Sequence, residues 1–212
     1  MAKLTLEKKK QRAKIVSKEL KRLFPEAKIA LNYFNSWELL VAVILSAQCT
    51  DKMVNIVTEK LFKKYPRFED YLKADLAEFE QDIRSTGFYH NKAKNILAAA
   101  RLIEEEHQGR VPETMEALLE LPGVARKTAN IVLESAFGVV VGIPVDTHVK
   151  RLSRLLELTD ETDPVKIERD LMELFPHKQW GKISYELIEY GRKYCTAKKH
   201  DHANCPLTKV LK

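Results

Sequence analysis

The sequence predicts an all-α protein, and two observations carry that prediction. The chain of 212 residues contains only 7 glycines and 8 prolines, and helix-favouring Leu, Ala, Lys and Glu fill the stretches between them. Its one β-branched run, VVVGIPV over residues 139–145, is broken by Gly142 and Pro144 and has no second strand to pair with. We therefore interpret this run as an extended linker between helices.

Helix start and stop signals divide the chain into about ten helices. Asn35 and Glu38 form a capping box ahead of the apolar run Leu39–Ala47, which predicts a buried central helix. A short loop, GFYHN, is expected over residues 87–91. The other helices before residue 139 are expected from Lys52 to Tyr65, from a capping box at Asp75 to a stop at Gly87, from Ala93 to near Gly109, from Thr114 to Leu119, and from the turn at Pro122 to Gly138.

The last third of the chain continues the helical pattern. Helices are expected to begin at Asp146, at Asp163 and near Trp180, and the last of them to end near Tyr194. From Lys198 onward the sequence lacks helical periodicity. We expect residues 30–138 to form a six-helix lobe and residues 1–29 with 139–212 to form a second helical lobe.

The positive charge of the chain is concentrated at its N-terminus. The net charge is +6, yet residues 1–28 carry ten Lys and Arg against three Glu, a local charge of +7 that leaves the remainder at −1. Such a segment suits a polyanion such as nucleic acid. The commoner explanation for it is a solvated, lysine-rich helix face.

Cysteine usage and hydropathy indicate the cellular compartment of the protein. The three cysteines, Cys49, Cys195 and Cys205, have no spacing suited to a secreted disulfide scaffold. The longest apolar run, Leu39–Ala47, is much shorter than the roughly 20 residues that span a bilayer, and the charged N-terminus is unlike a signal peptide. We expect a cytoplasmic protein that does not associate with membranes.

The stretch LPGVARKTAN, which begins at Leu121, predicts two helices joined by a Pro-Gly turn. The backbone N–H groups of Gly123, Val124 and Ala125 would form a cradle for a phosphate together with the start of the second helix, and Arg126 would reinforce it. A plain corner between two helices, with no ligand, is the alternative that the turn alone favours.

Lys127 stands at the start of that second helix. An ammonium group near a helix N-terminus is disfavoured relative to the free amine, which is the nucleophilic form that a Schiff base requires. Taken alone, a solvated surface lysine is the commoner explanation in a chain with 36 basic residues.

Four blocks of sequence occur in an order that is typical of one enzyme family. They are LLVAVILSAQCTDKMVN at 39–55, GFYHNKAKNI at 87–96, LPGVARKTANIVLESAFG at 121–138 and VDTH at 145–148. In these blocks the chain resembles the endonuclease III family of helix-hairpin-helix DNA glycosylase/AP lyases, over most of residues 30–195. The resemblance implies a two-lobed fold with the active site in the cleft between the lobes. It also implies a monomer that acts at the nucleoid on duplex DNA containing damaged bases or abasic sites.

The resemblance assigns the chemistry to two residues. Lys127 would attack C1′ of a damaged nucleotide, expel the base and form an imine that permits β-elimination of the 3′ phosphate. Asp146 would stabilise the positive charge that develops on the sugar and help to deprotonate the amine. From the local sequence alone Asp146 is a helix N-cap, and the two roles are compatible.

Oxidised pyrimidines are the leading substrate class that the resemblance implies. Two alternatives remain open at this stage. One is the same fold with specificity for another lesion, such as mismatched thymine or uracil, or an oxidised or alkylated purine. The other is a DNA-binding module that keeps the hairpin without activity, which the presence of both Lys127 and Asp146 disfavours.

An extruded base leaves a hole in the duplex that the protein must fill. By resemblance, Gln48 would face the orphaned partner base and Phe88 would act as the apolar wedge. Phe88 has an alternative role as a hydrophobic contact that closes the preceding helix. Asp51 would line the lesion pocket or, as we prefer, cap the following helix.

The C-terminal loop departs from the family. Its members commonly hold a 4Fe–4S cluster on four cysteines, and the corresponding positions here are Cys195, His202, Cys205 and Leu211. Leucine cannot bind iron, so we predict that the cluster is absent and that the protein has no cofactor. Lys193, Lys198 and Lys199 remain to contact the phosphate backbone.

A zinc site is the alternative for this loop. Cys195, His200, His202 and Cys205 provide two thiolates and two imidazoles within eleven residues. Their spacing is irregular for zinc, and an eroded, metal-free tail is the preferred interpretation.

Ala125 is a second departure from the family, because the family hairpin usually has glycine there. It would be strained by on the order of 1 kcal/mol if left-handed and harmless if helical.

Overall fold

The computed structural model of the chain describes residues 4–211. Residues 1–3, at the start of the predicted basic segment and second lobe, and Lys212 lie outside the described residues. Regular structure within the described part is helical throughout, which confirms the all-α prediction. Its α-helices are α1 (Leu6–Leu23), α2 (Ser36–Leu45), α3 (Asp51–Lys64), α4 (Phe68–Leu72), α5 (Leu76–Asp82), α6 (Tyr89–His107), α7 (Met115–Glu120), α8 (Arg126–Phe137), α9 (Thr147–Leu155), α10 (Pro164–Leu174), α11 (Trp180–Lys193) and α12 (Pro206–Val210). Short 3-10 turns lie at Arg84–Thr86, His177–Gln179 and His202–Asn204.

The chain divides into two compact units. The central unit comprises Ala30–Val141, and the terminal unit comprises Met1–Ile29 together with Gly142–Lys212.

The core of the central unit is built around α2. Asn35 is its N-cap and accepts a hydrogen bond from the backbone N–H of Glu38 at 2.9 Å. The Glu38 carboxylate in turn accepts from the N–H of Phe34 at 2.7 Å. Every residue from Trp37 to Leu45 is buried, and α2 packs against α3, α6 and α8. The predicted buried central helix is therefore confirmed, and no helix within residues 4–211 is long and apolar enough to cross a membrane.

The core of the terminal unit is shared by its two chain segments. Fully buried apolar side chains from α1, α9 and α11 meet there, among them Val16, Leu20, Val149, Leu152 and Leu187. Lys9 pairs with Asp160 at 2.8 Å. Arg12 pairs with Glu157, also at 2.8 Å. Part of the positive charge of the N-terminal segment is thus neutralised inside its own unit.

Two helix starts differ from the sequence prediction. Helix α6 begins at Tyr89, so the expected loop GFYHN is reduced to Gly87 and Phe88. Helix α3 begins at Asp51, and its N-cap is Thr50, whose hydroxyl accepts from the N–H of Met53 at 3.3 Å. The assignment of Asp51 as the cap is therefore wrong. A threonine directly before an aspartate offers an equally good capping oxygen one residue earlier.

Candidate functional site

A tight turn joins α7 to α8 in the central unit. The N–H of Val124 donates to the carbonyl of Leu121 at 3.1 Å, and Gly123 has a φ of +81°. A Cβ atom on Gly123 would lie 2.9 Å from the Cβ of Asn95 on α6. Both the left-handed backbone and this close approach require glycine at the turn.

Ala125 is the N-cap of α8 and has an extended backbone, with φ −97° and ψ 169°. Neither backbone state considered from the sequence occurs, and alanine is unstrained there. Alanine has no side-chain oxygen with which to cap the first turn of α8. The exposed N–H groups of Gly123 and Ala125 also have no hydrogen-bond partner within residues 4–211. The hairpin therefore keeps these two amide donors for an anion, whereas the predicted third donor, the N–H of Val124, is already used within the turn.

Lys127 is the second residue of α8, directly after Arg126, and both side chains are partly exposed. The opposite face of α8 is buried through Ala129, Val132 and Leu133. Because α8 packs against α2, the start of the helix is fixed on the core of the central unit. The ammonium group of Lys127 has no ion-pair or hydrogen-bond partner within residues 4–211.

Gln48 and Phe88, the two residues predicted to enter the DNA, share a left-handed backbone. Their φ angles are +54° and +51°, and both side chains are exposed. A left-handed backbone costs a residue other than glycine roughly 1–2 kcal/mol, so the surrounding structure has to enforce it. Phe88 is 62% exposed, so its side chain does not serve as a hydrophobic contact that closes the preceding helix.

Lys92 is a site residue that the sequence reasoning missed. Its side chain is only 5% exposed, and its ammonium donates to the carbonyls of Leu45 and Thr86, each at 2.8 Å. These carbonyls lie three residues before Gln48 and two before Phe88. Burial lowers the pKa of Lys92 from its ordinary value. A signal was present in the sequence, because Lys92 occupies the same helical stripe as Ile96, and a lysine on an apolar stripe needs buried partners.

Asp146 is the N-cap of α9 in the terminal unit. Its Oδ1 accepts from the N–H of Val149 at 2.8 Å, as the capping prediction requires. Its Oδ2 has no hydrogen-bond partner within residues 4–211, and the side chain is partly exposed. One carboxylate oxygen thus holds the residue in place while the other stays available for chemistry.

The C-terminal loop corrects the prediction that the protein has no cofactor. The donor atoms of Cys195, His200, His202 and Cys205 all lie within 4.8 Å of one another, a grouping that could hold a metal ion. The loop is also ordered by a 3-10 turn and by α12, contrary to an eroded tail. The zinc alternative was set aside because the four residues are irregularly spaced along the chain, and spacing does not describe how the loop folds. Leu211 packs against the apolar core of the terminal unit.

Lysines of this loop and of the end of α11 are available for a polyanion. Lys193, Lys198 and Lys199 are all exposed. The ammonium of Lys193 lies 5.4 Å from the centre of the Tyr194 ring. The predicted phosphate contacts of this loop are therefore accessible to solvent.

The site residues are divided between the two units. The hairpin, Lys127, Gln48 and Phe88 belong to the central unit, where Lys92 joins the segments that carry Gln48 and Phe88. Asp146 and the C-terminal loop belong to the terminal unit.

Comparison with known proteins gives consistent matches along the chain. Residues 41–177 match the family described as HhH-GPD superfamily base excision DNA repair protein. Endonuclease III of Synechocystis sp. is 54% identical, over 94% of this chain and 91% of that protein. A solved non-covalent endonuclease III–DNA complex matches with a TM-score of 0.91 at 42% identity, over 98% of this chain and 95% of that one. A trapped endonuclease III–DNA covalent intermediate matches with a TM-score of 0.89 at 43% identity, over 96% and 94% of the two chains.

Proposed function

The chain belongs to the HhH-GPD superfamily of base excision DNA repair proteins, and on that basis we propose that it is a bifunctional DNA glycosylase and AP lyase. We further propose that it removes oxidised pyrimidines from duplex DNA. The observation that carries the lyase activity is Lys127, an unpaired amine at the start of the hairpin helix. Such an amine is the nucleophile that a Schiff base with the sugar requires.

The proposed reaction begins with the free amine of Lys127. Its nitrogen forms a bond to C1′ of the damaged nucleotide as the bond between C1′ and the base breaks, and the base departs with the electron pair of that bond. Loss of the amine proton and opening of the sugar ring give an imine between C1′ and the lysine nitrogen. Removal of a proton from C2′ then expels the 3′ phosphate from C3′, and hydrolysis of the imine frees the lysine.

Asp146 supports the first of these steps. Its Oδ1 is engaged by the N–H of Val149, so the carboxylate has a fixed orientation. Its Oδ2 remains available to stabilise the positive charge that develops on the sugar and to accept the proton that the attacking amine loses. A neutral side chain at this position would neither stabilise that charge nor accept that proton.

The remaining site residues hold the DNA. The amide donors of Gly123 and Ala125 take one phosphate, and Arg126 adds charge to it. Lys198 and Lys199 contact the backbone elsewhere. Gln48 and Phe88 fill the space that the extruded base leaves, with Gln48 facing the partner base.

The relatives support this function over the alternatives considered from the sequence. They are endonuclease III proteins matched over almost their full length, whereas a solved thermostable thymine-DNA glycosylase is 25% identical. A binding module without catalysis has no need of both Lys127 and Asp146. A single chain carries both groups, so a monomer suffices, and we propose that it works on duplex DNA at the nucleoid in the cytoplasm.

Borohydride trapping tests the proposed nucleophile. Reduction during reaction with an abasic duplex is expected to link the wild-type chain to DNA, because borohydride converts the imine into a stable amine. Lys127→Gln should give no adduct, while Lys60→Gln, a change at an exposed lysine on α3, should give as much as the wild type. An adduct with Lys127→Gln would exclude Lys127 as the nucleophile. Excision from duplexes containing oxidised pyrimidines, mismatched thymine or oxidised guanine tests the substrate class separately.

A further inference from the structure

Four side chains at the C-terminal end of the terminal unit have the chemistry and the spacing of ligands to one metal ion. Cys195 follows α11, and His200, His202 and Cys205 follow within the next ten residues. Their sulfur and nitrogen donors all lie within 4.8 Å of one another. The Sγ of Cys195 lies 3.4 Å from Nδ1 of His202, and the Sγ of Cys205 lies 3.3 Å from Nε2 of His200.

These distances correspond to the edges of a tetrahedron around zinc. Zinc–sulfur bonds of about 2.3 Å and zinc–nitrogen bonds of about 2.0–2.1 Å place neighbouring sulfur and nitrogen ligands about 3.6 Å apart. Both observed pairs lie within a few tenths of an ångström of that separation. The donors therefore need little movement to enclose one ion.

Both imidazole rings are oriented by a second hydrogen bond on the far side. Nδ1 of His200 lies 2.8 Å from the carbonyl oxygen of Lys198. A carbonyl only accepts, so the proton is on Nδ1 and the lone pair of Nε2 points towards Cys205. Nε2 of His202 lies 3.1 Å from the hydroxyl of Thr208, which leaves Nδ1 for the metal. Metal-binding histidines characteristically donate their other N–H in this way.

The two thiols are buried, and that of Cys195 stands beside a cation. Cys195 is 0% exposed and Cys205 is 4% exposed, and neither forms a disulfide. Nη1 of Arg151 lies 3.6 Å from the Sγ of Cys195, and Nη2 of Arg151 donates to the Cys195 carbonyl at 2.7 Å. The guanidinium thus fixes Cys195 at its carbonyl as well as at its sulfur.

From this arrangement we propose that Cys195, His200, His202 and Cys205 bind one tetrahedral zinc ion. His200 supplies the fourth ligand in place of Leu211, whose side chain belongs to the apolar packing of the unit. Two thiolates and two imidazoles form a usual ligand set for structural zinc, whereas a 4Fe–4S cluster takes four thiolates. Histidine and cysteine pairs that hold a two-iron cluster bind two separate irons, while the four donors here converge on one point.

The ion would clamp the loop that carries Lys198 and Lys199 onto the end of α11. The carbonyl of Lys198 already orients His200, so the position of the lysines is tied to the ligand geometry. This consequence for DNA binding rests on the proposed function. The metal site itself does not rest on it, because none of its ligands takes part in the steps at Lys127. Loss of the metal can therefore be measured separately from loss of the reaction at Lys127.

Metal analysis of the purified full chain tests the proposal. We expect about one zinc per chain in the wild type, and a loss of at least about tenfold in His200→Asn and in Cys205→Ser, because three ligands seldom hold structural zinc. Cys49→Ser, which removes a partly exposed thiol of the central unit, should keep its zinc. Borohydride trapping through Lys127 should persist in His200→Asn, which separates this proposal from the catalytic one.

Three results would overturn the zinc site. They are iron and sulfide in near-stoichiometric amounts in the wild type, full zinc content in His200→Asn, and a disulfide between Cys195 and Cys205 in freshly purified protein. If His200→Asn does not fold, cobalt substitution of the wild type decides the matter. Tetrahedral coordination by two thiolates and two imidazoles gives intense visible absorption, and octahedral cobalt bound adventitiously does not.

Discussion

The ammonium group of Lys92 lies 2.8 Å from the carbonyl oxygen of Leu45, the last residue of α2. A second bond of the same length reaches the carbonyl of Thr86. One buried cation thus joins the segment that leads to Gln48 and the segment that leads to Phe88. Both of these residues have left-handed backbones, and Lys92 is a common anchor for the two.

Lys92→Met tests this anchor. Methionine keeps much of the aliphatic volume but leaves two carbonyls without their donor, so the free energy of unfolding should fall by about 1–3 kcal/mol. Insertion of Gln48 and Phe88 should also weaken, measured as a smaller fluorescence rise of 2-aminopurine placed opposite the lesion. Lys94→Met, a change at an exposed lysine on the same helix, is the control. Unchanged insertion in a folded Lys92→Met protein would exclude the anchoring role.

Asp146→Asn separates capping from catalysis. Asparagine caps a helix about as well as aspartate, so the free energy of unfolding should change by less than about 0.5 kcal/mol. Base excision should slow by about 100-fold or more, because the amide neither accepts a proton nor stabilises positive charge. The matched control is Asp163→Asn, since Asp163 caps α10 through the same kind of bond at 3.0 Å. Single-turnover excision kinetics make the measurement, and equal rates in the two variants would reduce Asp146 to a cap.

Ala125→Asp is expected to move stability and DNA binding in opposite directions. A carboxylate at the N-cap accepts from the first turn of α8 and should raise the free energy of unfolding by about 0.5–2 kcal/mol. The same carboxylate would occupy the position of the phosphate and repel its negative charge, so affinity for an abasic-analogue duplex should fall. Ala125→Gly, which adds neither an acceptor nor a charge, is the control. Urea denaturation and binding at several salt concentrations make the measurements, and a variant that is both more stable and tighter binding would contradict the phosphate cradle.

Glu186 should give the terminal unit a measurable dependence on pH. Burial raises the pKa of this carboxyl from its ordinary value of 4.5, against the opposing effect of Lys21 and Lys182. The folded state therefore keeps a proton that the unfolded state releases. The contribution of Glu186 to the free energy of unfolding is fully present below pH 4.5, and it is lost as the pH rises through the raised pKa.

Glu186→Gln should remove this loss of stability with rising pH. Urea unfolding of wild type and variant across that pH window measures the difference, which should grow with pH in favour of the variant. Glu189→Gln, a change at a more exposed residue of the same helix, should leave the wild-type slope intact. Parallel slopes for the wild type and Glu186→Gln would show that Glu186 does not titrate in the folded protein as its burial implies.

Local features of the site were accessible from the sequence, because short-range hydrogen bonds determine them. The N-caps predicted from spacing alone accept from the N–H three residues on, as at Asn35, Asp75, Thr114, Asp146 and Asp163. The anchor at Lys92 was not accessible, because its bond to Leu45 spans 47 residues of chain. The metal ligands were named from their chemistry, but their convergence depends on how the loop folds against α11. Spacing along the chain does not contain that information.

The uncapped start of α8 has a thermodynamic consequence. At α9 the side chain of Asp146 completes the first turn of the helix, whereas Ala125 leaves the first turn of α8 available to a bound anion. Phosphate binding and the local folding stability of the hairpin are then linked quantities, so every bound nucleotide backbone also shifts the hairpin towards its ordered state. We therefore expect the hairpin to be more ordered while DNA is bound than after the DNA is released.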